Sequence, residues 1–208
     1  MGPLVMCGYM INESDTTKLK EIGVKDSKLL SAKQRTDMRG KLEDIAEDIV
    51  VLKVSASDID STRSISNMNR LEIEKMLEII NMLEPDKVII DAIESNTKRF
   101  REKVASKLDK KDTILIAENF ADKKYPVVSA ASIIAKLHRD EEIKKMHITY
   151  GNFGSGYTHD EATIGFLKSW MKKNKEFPHI VRKSWITAVE IKNNSKQKNI
   201  QSFLNTEE

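Results

Sequence analysis

The chain has 208 residues, of which 39% are hydrophobic and 32% charged, so it can bury one sizeable core and has the composition of an ordinary globular domain. Its net charge of +3 gives only weak support for nucleic-acid binding. Because the chain has a single cysteine, Cys7, it cannot form an internal disulfide, and its longest apolar run, residues 4–11, is too short to span a bilayer. We therefore expect a cytoplasmic protein. No feature of the sequence requires an oligomer, so we expect a monomer.

The hydrophobic pattern predicts strands that alternate with helices along most of the chain. The strand segments are short apolar runs, whereas the helical segments carry apolar residues three and four positions apart. The predicted strands are 4–11, 49–54, 87–91 and 113–117. The predicted helices are 31–48, 66–83, 97–108, 126–149 and 161–173. This alternation predicts an α/β fold with a mixed sheet flanked by helices.

The end of the chain has a different composition from the rest. From Lys192 onward the sequence turns polar and contains the run Asn-Asn-Ser-Lys-Gln-Lys. Such a segment cannot bury enough apolar surface to fold by itself. We therefore expect one domain over residues 1–192, ending in a helical region, and a flexible tail over residues 193–208.

Two aspartates follow successive predicted strands. Asp91 ends the strand 87–91, and Asp122 lies between the strand 113–117 and the helix that begins at Pro126. Each could simply cap a loop or a helix. Carboxylates at neighbouring strand ends can also meet in space, however, and hold a hard divalent cation.

The helix after Pro126 has one face that is first small and then basic. This face contains Ser129, Ser132, Lys136 and Arg139, which recur at spacings of three and four. Small residues allow another surface to approach closely, and the cations suit phosphate. A solvated charged face explains the same pattern. The apolar positions expected to point to the core are Val128, Ala131, Ile134 and Ala135.

Three blocks of the sequence resemble ribonuclease HII in its archaeal and eukaryotic form. The longest is Tyr-Pro-Val-Val-Ser-Ala-Ala-Ser-Ile-Ile-Ala-Lys at 125–136, followed by Arg139-Asp140. The others are Gly-Ser-Gly-Tyr at 154–157 and Lys-Asp-Ser-Lys-Leu at 25–29. Asp91 and Asp122 fall at the intervals expected between these blocks. The likeness extends from residue 2 to about residue 185.

The resemblance implies a ribonuclease H-like fold and a metal-dependent nuclease. Members of this family hydrolyse the RNA strand of RNA–DNA hybrids and incise DNA beside embedded ribonucleotides, with magnesium or manganese. Asp91 and Asp122 match the third and fourth metal-binding acids, which makes them the candidate catalytic residues. The positions matched to substrate contacts are Tyr157, which would pack on the sugar at the RNA–DNA junction, Lys28, and more weakly Lys136 and Arg139. Asp140 is expected to orient Arg139 or to cap structure.

The sequence departs from the family pattern at its start. The family begins with a strand that carries Asp-Glu-Ala-Gly-Arg-Gly-Pro and supplies two acids and a loop that reads the 2′-hydroxyl; the 208 residues contain no such motif. That strand is expected to lie inside the sheet. With two of four acids we expect an inactive or weakly active chain. To explain the missing strand, we favour an internal methionine taken as the start of a gene that begins upstream over a genuine fragment. The alternative function is a non-catalytic remnant that binds nucleic acid or a sliding clamp.

The tail contains a second motif that is independent of the first. Gln197, Ile200, Phe203 and Leu204 match the short clamp-binding motif of replication and repair enzymes. On a helical turn the three apolar members fall on one side and can fill an apolar pocket. A chance match is the alternative for so short a motif. We expect the tail to bind a sliding clamp.

Overall fold

The computed structural model describes residues 1–24 and 29–204, with residues 196–204 described by their backbone alone. The strands are β1 (Leu4–Met10), β2 (Asp48–Val54), β3 (Lys87–Asp91) and β4 (Ile114–Glu118). The helices are α1 (Thr16–Glu21), α2 (Ala32–Ile45), α3 (Ala56–Ile65), α4 (Met68–Leu83), α5 (Thr97–Ala105), α6 (Ala121–Lys124), α7 (Pro126–Tyr150), α8 (Glu161–Lys173) and α9 (Ile186–Leu204). The predicted alternation of strands and helices is confirmed.

Local chemistry explains where several helices begin. Ser31 caps α2: its hydroxyl accepts a hydrogen bond from the Gln34 N–H at 3.2 Å, and the Gln34 side chain accepts one from the Ser31 N–H at 2.8 Å. This reciprocal pair satisfies two N–H groups that a helix start leaves open. Pro126 is the first residue of α7, where its missing N–H is not needed. The side chain of Asp160 caps α8.

The described strands form two small sheets. β1 pairs with β2, and β3 pairs with β4. The β3–β4 pair is parallel, and its register places Asp91 opposite Glu118. Because parallel strands end at the same edge of a sheet, the segments that follow β3 and β4 leave from one edge. The two predicted acidic positions follow that edge.

The chain divides into two compact units. The strand unit contains Val5–Lys53 and Met68–His138, and the terminal unit contains Met1–Leu4, Val54–Asn67 and the chain from Arg139 onward. The strand unit contains two apolar clusters, one around Leu42 and Ile133 and the other around Phe100 and Val104. The terminal unit has its own cluster, which includes Phe153, Leu167 and Ile180. Each unit therefore has a buried core.

Several elements differ from the sequence prediction. The hydrophobic pattern did not predict α1, α3 or α6, which are short and polar. α9 runs to Leu204, so most of the segment expected to be a flexible tail has a helical backbone. Among the helices of the described residues, none combines the length and apolar character needed to cross a membrane.

Candidate active site

A groove of about 770 Å³ opens in the strand unit. Its walls come from β1, α4, β3 and α7. Asp91 and Asp122 both line it, together with Ser132 and Lys136 of α7. The structure thus brings three of the predicted site residues, the two aspartates and Lys136, to a single groove.

Asp91 lies at the carboxyl end of β3, half-buried. Its Oδ1 accepts a hydrogen bond from the backbone N–H of Ala121 at 3.2 Å. The backbone N–H of Ala92 in turn donates to the Glu118 carbonyl at 2.9 Å, continuing the β3–β4 pairing by one residue. These bonds hold the Asp91 carboxylate against the segment that precedes Asp122.

Asp122 is only 5% exposed and lies in the first turn of α6. The hydroxyl of the buried Ser129, on α7, donates a hydrogen bond to the Asp122 backbone carbonyl. Ser129, predicted to present a small surface to a ligand, therefore fastens α6 to α7. That contact fixes the backbone of Asp122 relative to the first turn of α7.

Glu118 stands opposite Asp91 in the strand register, yet its carboxylate is engaged elsewhere. It accepts hydrogen bonds from the Lys124 ammonium at 2.7 Å and from the Tyr125 hydroxyl at 2.9 Å. These partners, Lys124 first, lower the pKa of the Glu118 carboxyl. Within the described parts of the chain no three His, Cys, Asp or Glu side chains are grouped to hold a metal ion. Of the acids that line the groove, Asp91 and Asp122 are the two predicted metal ligands.

The orientation of α7 differs in part from the prediction. Val128 and Ala135, expected to point to the core, line the groove instead, whereas Ala131 lines the groove and also packs against the buried cluster around Leu42 and Ile133. Of the four apolar positions, Ile134 is the one whose side chain is itself buried in this cluster. The residues that α7 adds to that cluster are Ala130, Ile133, Ile134 and Leu137. The groove wall is therefore largely apolar beside Ser132 and Lys136.

Two predicted site residues meet in the terminal unit. The Arg139 guanidinium carbon lies 3.9 Å from the centroid of the Tyr157 ring, and His159 stacks on the same ring with centroids 5.4 Å apart. Arg139 is 9% exposed, and its guanidinium donates a hydrogen bond to the Ser155 carbonyl at 3.0 Å. The Asp140 carboxylate lies 3.9 Å from Nη1 of the same guanidinium. The Tyr157 side chain remains 44% exposed. Arg139 therefore supports an aromatic ring that is still open to solvent.

The loop that carries Tyr157 is fixed by hydrogen bonds that sequence reasoning missed. Asp160 accepts from the backbone N–H groups of Ser155 at 2.6 Å and Ala162 at 3.0 Å, and these bonds, Ser155 first, lower the pKa of its carboxyl to about 2. The Thr163 hydroxyl accepts from the Gly156 N–H at 2.9 Å. Asp160, directly before an apolar helical pattern, carries the ordinary signal of a helix cap. Nothing in the pattern marks its contact with Ser155.

The remaining predicted residues lie beyond what the structure describes. Lys28 belongs to residues 25–28, outside the described residues. Gln197, Ile200, Phe203 and Leu204 lie in α9, but their side chains are likewise outside the description. The predicted roles of these five residues stay predictions.

Comparisons with known proteins agree on one family. The family model described as Ribonuclease HII matches residues 1–188. Ribonuclease HII of Pyrococcus furiosus is 42% identical over 206 residues, which cover 98% of this chain and 91% of that protein. Both coverages are high, so the likeness concerns nearly the whole of both proteins.

Solved structures show the same relationship in three dimensions. The crystal structure of ribonuclease H2 from Pyrococcus horikoshii matches with a TM-score of 0.88 and 42% identity, covering 95% of this chain and 93% of the other. The structure of the PCNA:RNase HII complex from Archaeoglobus fulgidus matches with a TM-score of 0.83 and 35% identity, covering 92% and 90%. The expected ribonuclease H-like fold is confirmed.

Proposed function

The chain belongs to the ribonuclease HII family and is a type 2 ribonuclease H, and from this premise we propose that it hydrolyses the RNA strand of RNA–DNA hybrids and incises DNA beside embedded ribonucleotides by two-metal hydrolysis. The observation that carries the proposal is the shared groove of Asp91 and Asp122. Carboxylate oxygens are the ligands that magnesium and manganese prefer. These two side chains would hold the metal.

The donor set fits a divalent cation only in part. Asp91 and Asp122 supply two hard oxygen ligands, and within the described residues no third acid joins them. A bound pair of divalent ions would activate a water and stabilise the leaving oxygen of the cleaved phosphodiester. Because such a pair needs about four carboxylates, we expect the 208-residue chain by itself to be inactive or weakly active.

The groove supports a specific way to complete the site. β1 and β3 both line it, and each is hydrogen-bonded to one other strand among the described residues. Apart from Ser132 and Lys136, the wall that α7 contributes is apolar, as it would be under a buried strand. The family strand with Asp-Glu-Ala-Gly-Arg-Gly-Pro fits this place, where its two acids would join Asp91 and Asp122.

The other residues of the chain have complementary roles in this proposal. Lys136 lines the groove and would face a substrate phosphate. Tyr157 offers an exposed aromatic face, supported by Arg139, for the sugar at the RNA–DNA junction. A 2′-hydroxyl is what distinguishes RNA from DNA at that position. Lys28 would contact the substrate backbone.

The proposal is tested by comparing two proteins in one cleavage assay. The first is the 208-residue chain, and the second carries the family strand joined before Gly2. Substrates are an RNA–DNA hybrid, a DNA duplex with one ribonucleotide, and an all-DNA duplex as control, each with magnesium, manganese or a chelator. The extended protein should cleave the first two substrates only, and only with metal.

Three results would contradict this account. Cleavage by the 208-residue chain alone at about 1 per second or faster would show that four acids are not required. Binding of hybrid or clamp without cleavage by either protein would favour the alternative function, a non-catalytic remnant. Loss of all hybrid binding would remove the nuclease proposal itself.

We also propose that the tail binds a sliding clamp. The Archaeoglobus fulgidus relative was solved as a complex with PCNA, which supports such a partner for this chain. The motif residues Gln197, Ile200, Phe203 and Leu204 occupy the last two turns of α9. A helical turn presents the apolar members on one side, as docking into an apolar pocket requires.

A further inference from the structure

Phe120 combines an unusual backbone conformation with an exposed ring. It directly precedes α6, with φ 59° and ψ 33°, in the left-handed region that large side chains rarely adopt. Its side chain is 65% exposed, so burial in the core does not account for the residue. A strained backbone and a solvent-exposed aromatic ring close to a candidate active site indicate a functional role for this residue.

The surrounding loop holds Phe120 in this conformation. The Asn119 amide donates hydrogen bonds to the carbonyls of Ala92 at 3.1 Å and Glu94 at 3.2 Å. On the other side, the Ala121 N–H donates to Asp91 at 3.2 Å. Both neighbours of Phe120 are thus tied to the end of β3, and the ring is displayed from a fixed loop.

The position of the ring follows from the chain itself. Phe120 precedes Asp122 by two residues, so their Cα atoms are at most about 7 Å apart. The hydrogen bond from Ala121 to Asp91 brings the other carboxylate to the same short segment. Any phosphate held at the two aspartates would therefore have its neighbouring nucleotide within reach of Phe120.

A cation accompanies the ring. The Lys123 ammonium lies 5.0 Å from the centroid of the Phe120 ring, and both side chains are exposed. An aromatic face beside a cation suits a nucleotide, because the ring can pack on the sugar or base while the cation meets a phosphate. A purely apolar protein partner would gain nothing from the ammonium.

We propose that Phe120 and Lys123 form a substrate-positioning platform for the nucleotide next to the cleaved bond. Phe120 packs against that nucleotide, and Lys123 contacts its phosphate. This inference rests on the proposed function and names two further residues that hold the hybrid. Neither is a catalytic residue, because each acts by placing the strand relative to Asp91 and Asp122.

The test measures binding of a fluorescein-labelled RNA–DNA hybrid by anisotropy, in a chelator so that a metal-dependent enzyme cannot cleave it. Phe120→Asn removes the ring but keeps a residue that tolerates the left-handed region. We expect its dissociation constant to rise about 5- to 150-fold, the equivalent of about 1–3 kcal/mol. Phe120→Trp should bind within about threefold of wild type, since it keeps an aromatic face.

Two further variants separate contact from structure. Ile114, 61% exposed at the opposite end of β4, is the matched control, and Ile114→Thr should leave hybrid affinity unchanged. Lys123→Gln should reduce the slope of log affinity against log salt by about one, whereas Phe120→Asn should leave that slope unchanged. Urea unfolding should show Phe120→Asn to be as stable as wild type or more stable.

The outcomes distinguish this inference from the proposed function. The platform proposal would be overturned if wild type and Phe120→Asn bound the hybrid with equal affinity, or if Phe120→Asn and Phe120→Trp lowered that affinity equally. Either result would leave the nuclease proposal unaffected. A wild-type protein that binds no hybrid at all would overturn both. Weakening by Asn, retention by Trp and an unchanged Ile114→Thr control would support the platform.

Discussion

The backbone N–H of Ala121 donates a 3.2 Å hydrogen bond to Oδ1 of Asp91. This contact joins the end of β3 to the first residue of α6, directly before Asp122. An asparagine at position 91 would keep an oxygen acceptor for Ala121 and lose the negative charge. The geometry of the loop and the charge of the site can therefore be separated by one substitution.

Asp91→Asn should weaken metal binding without unfolding the protein. In the extended protein we expect manganese affinity, measured by calorimetric titration, to fall at least about tenfold, or about 1.4 kcal/mol. Glu118→Gln is the matched control, because the Glu118 carboxylate is already engaged by Lys124 and Tyr125. Equal manganese affinity of wild type and Asp91→Asn would remove Asp91 from the metal site.

The packing of β1 on α4 makes Gly8 sensitive to enlargement. A Cβ at Gly8 would lie 2.3 Å from Ile79 Cγ2 and 2.6 Å from Leu83 Cδ1. Gly8→Ala should therefore lower the free energy of unfolding by about 1–3 kcal/mol, measured by urea denaturation. Gly40, in α2 with open space around it, is the control, and Gly40→Ala should raise stability by up to about 1 kcal/mol. A neutral Gly8→Ala would mean that β1 and α4 separate easily.

Asp160 should make the Tyr157 loop sensitive to acid. Hydrogen bonds from Ser155 lower its pKa from 3.8 to about 2, so its carboxylate stabilises the folded chain above about pH 4 and loses this effect as the pH falls towards 2. Asp160→Asn should be less stable than wild type at pH 7, and the two should converge near pH 2. Urea denaturation across this range is the measurement. A constant difference at all pH values would exclude the charge as the cause.

The tail should account for clamp binding. We expect the wild-type chain to bind its cognate clamp with micromolar-scale affinity, about −8 kcal/mol. Phe203→Ala with Leu204→Ala should abolish measurable binding in calorimetric titration, since each buried side chain contributes roughly 1.5–3 kcal/mol. Gln201→Ala with Ser202→Ala, between the apolar positions, is the matched control. Equal affinity of the wild type and the first double variant would make the motif a chance match.

The sequence by itself determined the order of most elements and the family. β3 and α8 have the predicted bounds, Lys87–Asp91 and Glu161–Lys173. Both are encoded by short-range features, a continuous apolar run in one and a regular apolar spacing in the other. The block at 125–136 is equally local, because it can be read without knowing what packs against it.

Only the tertiary structure decided which side chains face the groove and which support others. The helical period of α7 shows which residues share a face but not what packs against that face, so Val128 and Ala135 were expected in the core and line the groove. The stacking of Arg139 on Tyr157 joins residues 18 positions apart, and the exposed, left-handed Phe120 depends on hydrogen bonds from its neighbours to the end of β3. Such relationships depend on contacts between segments distant in sequence, which no local period encodes.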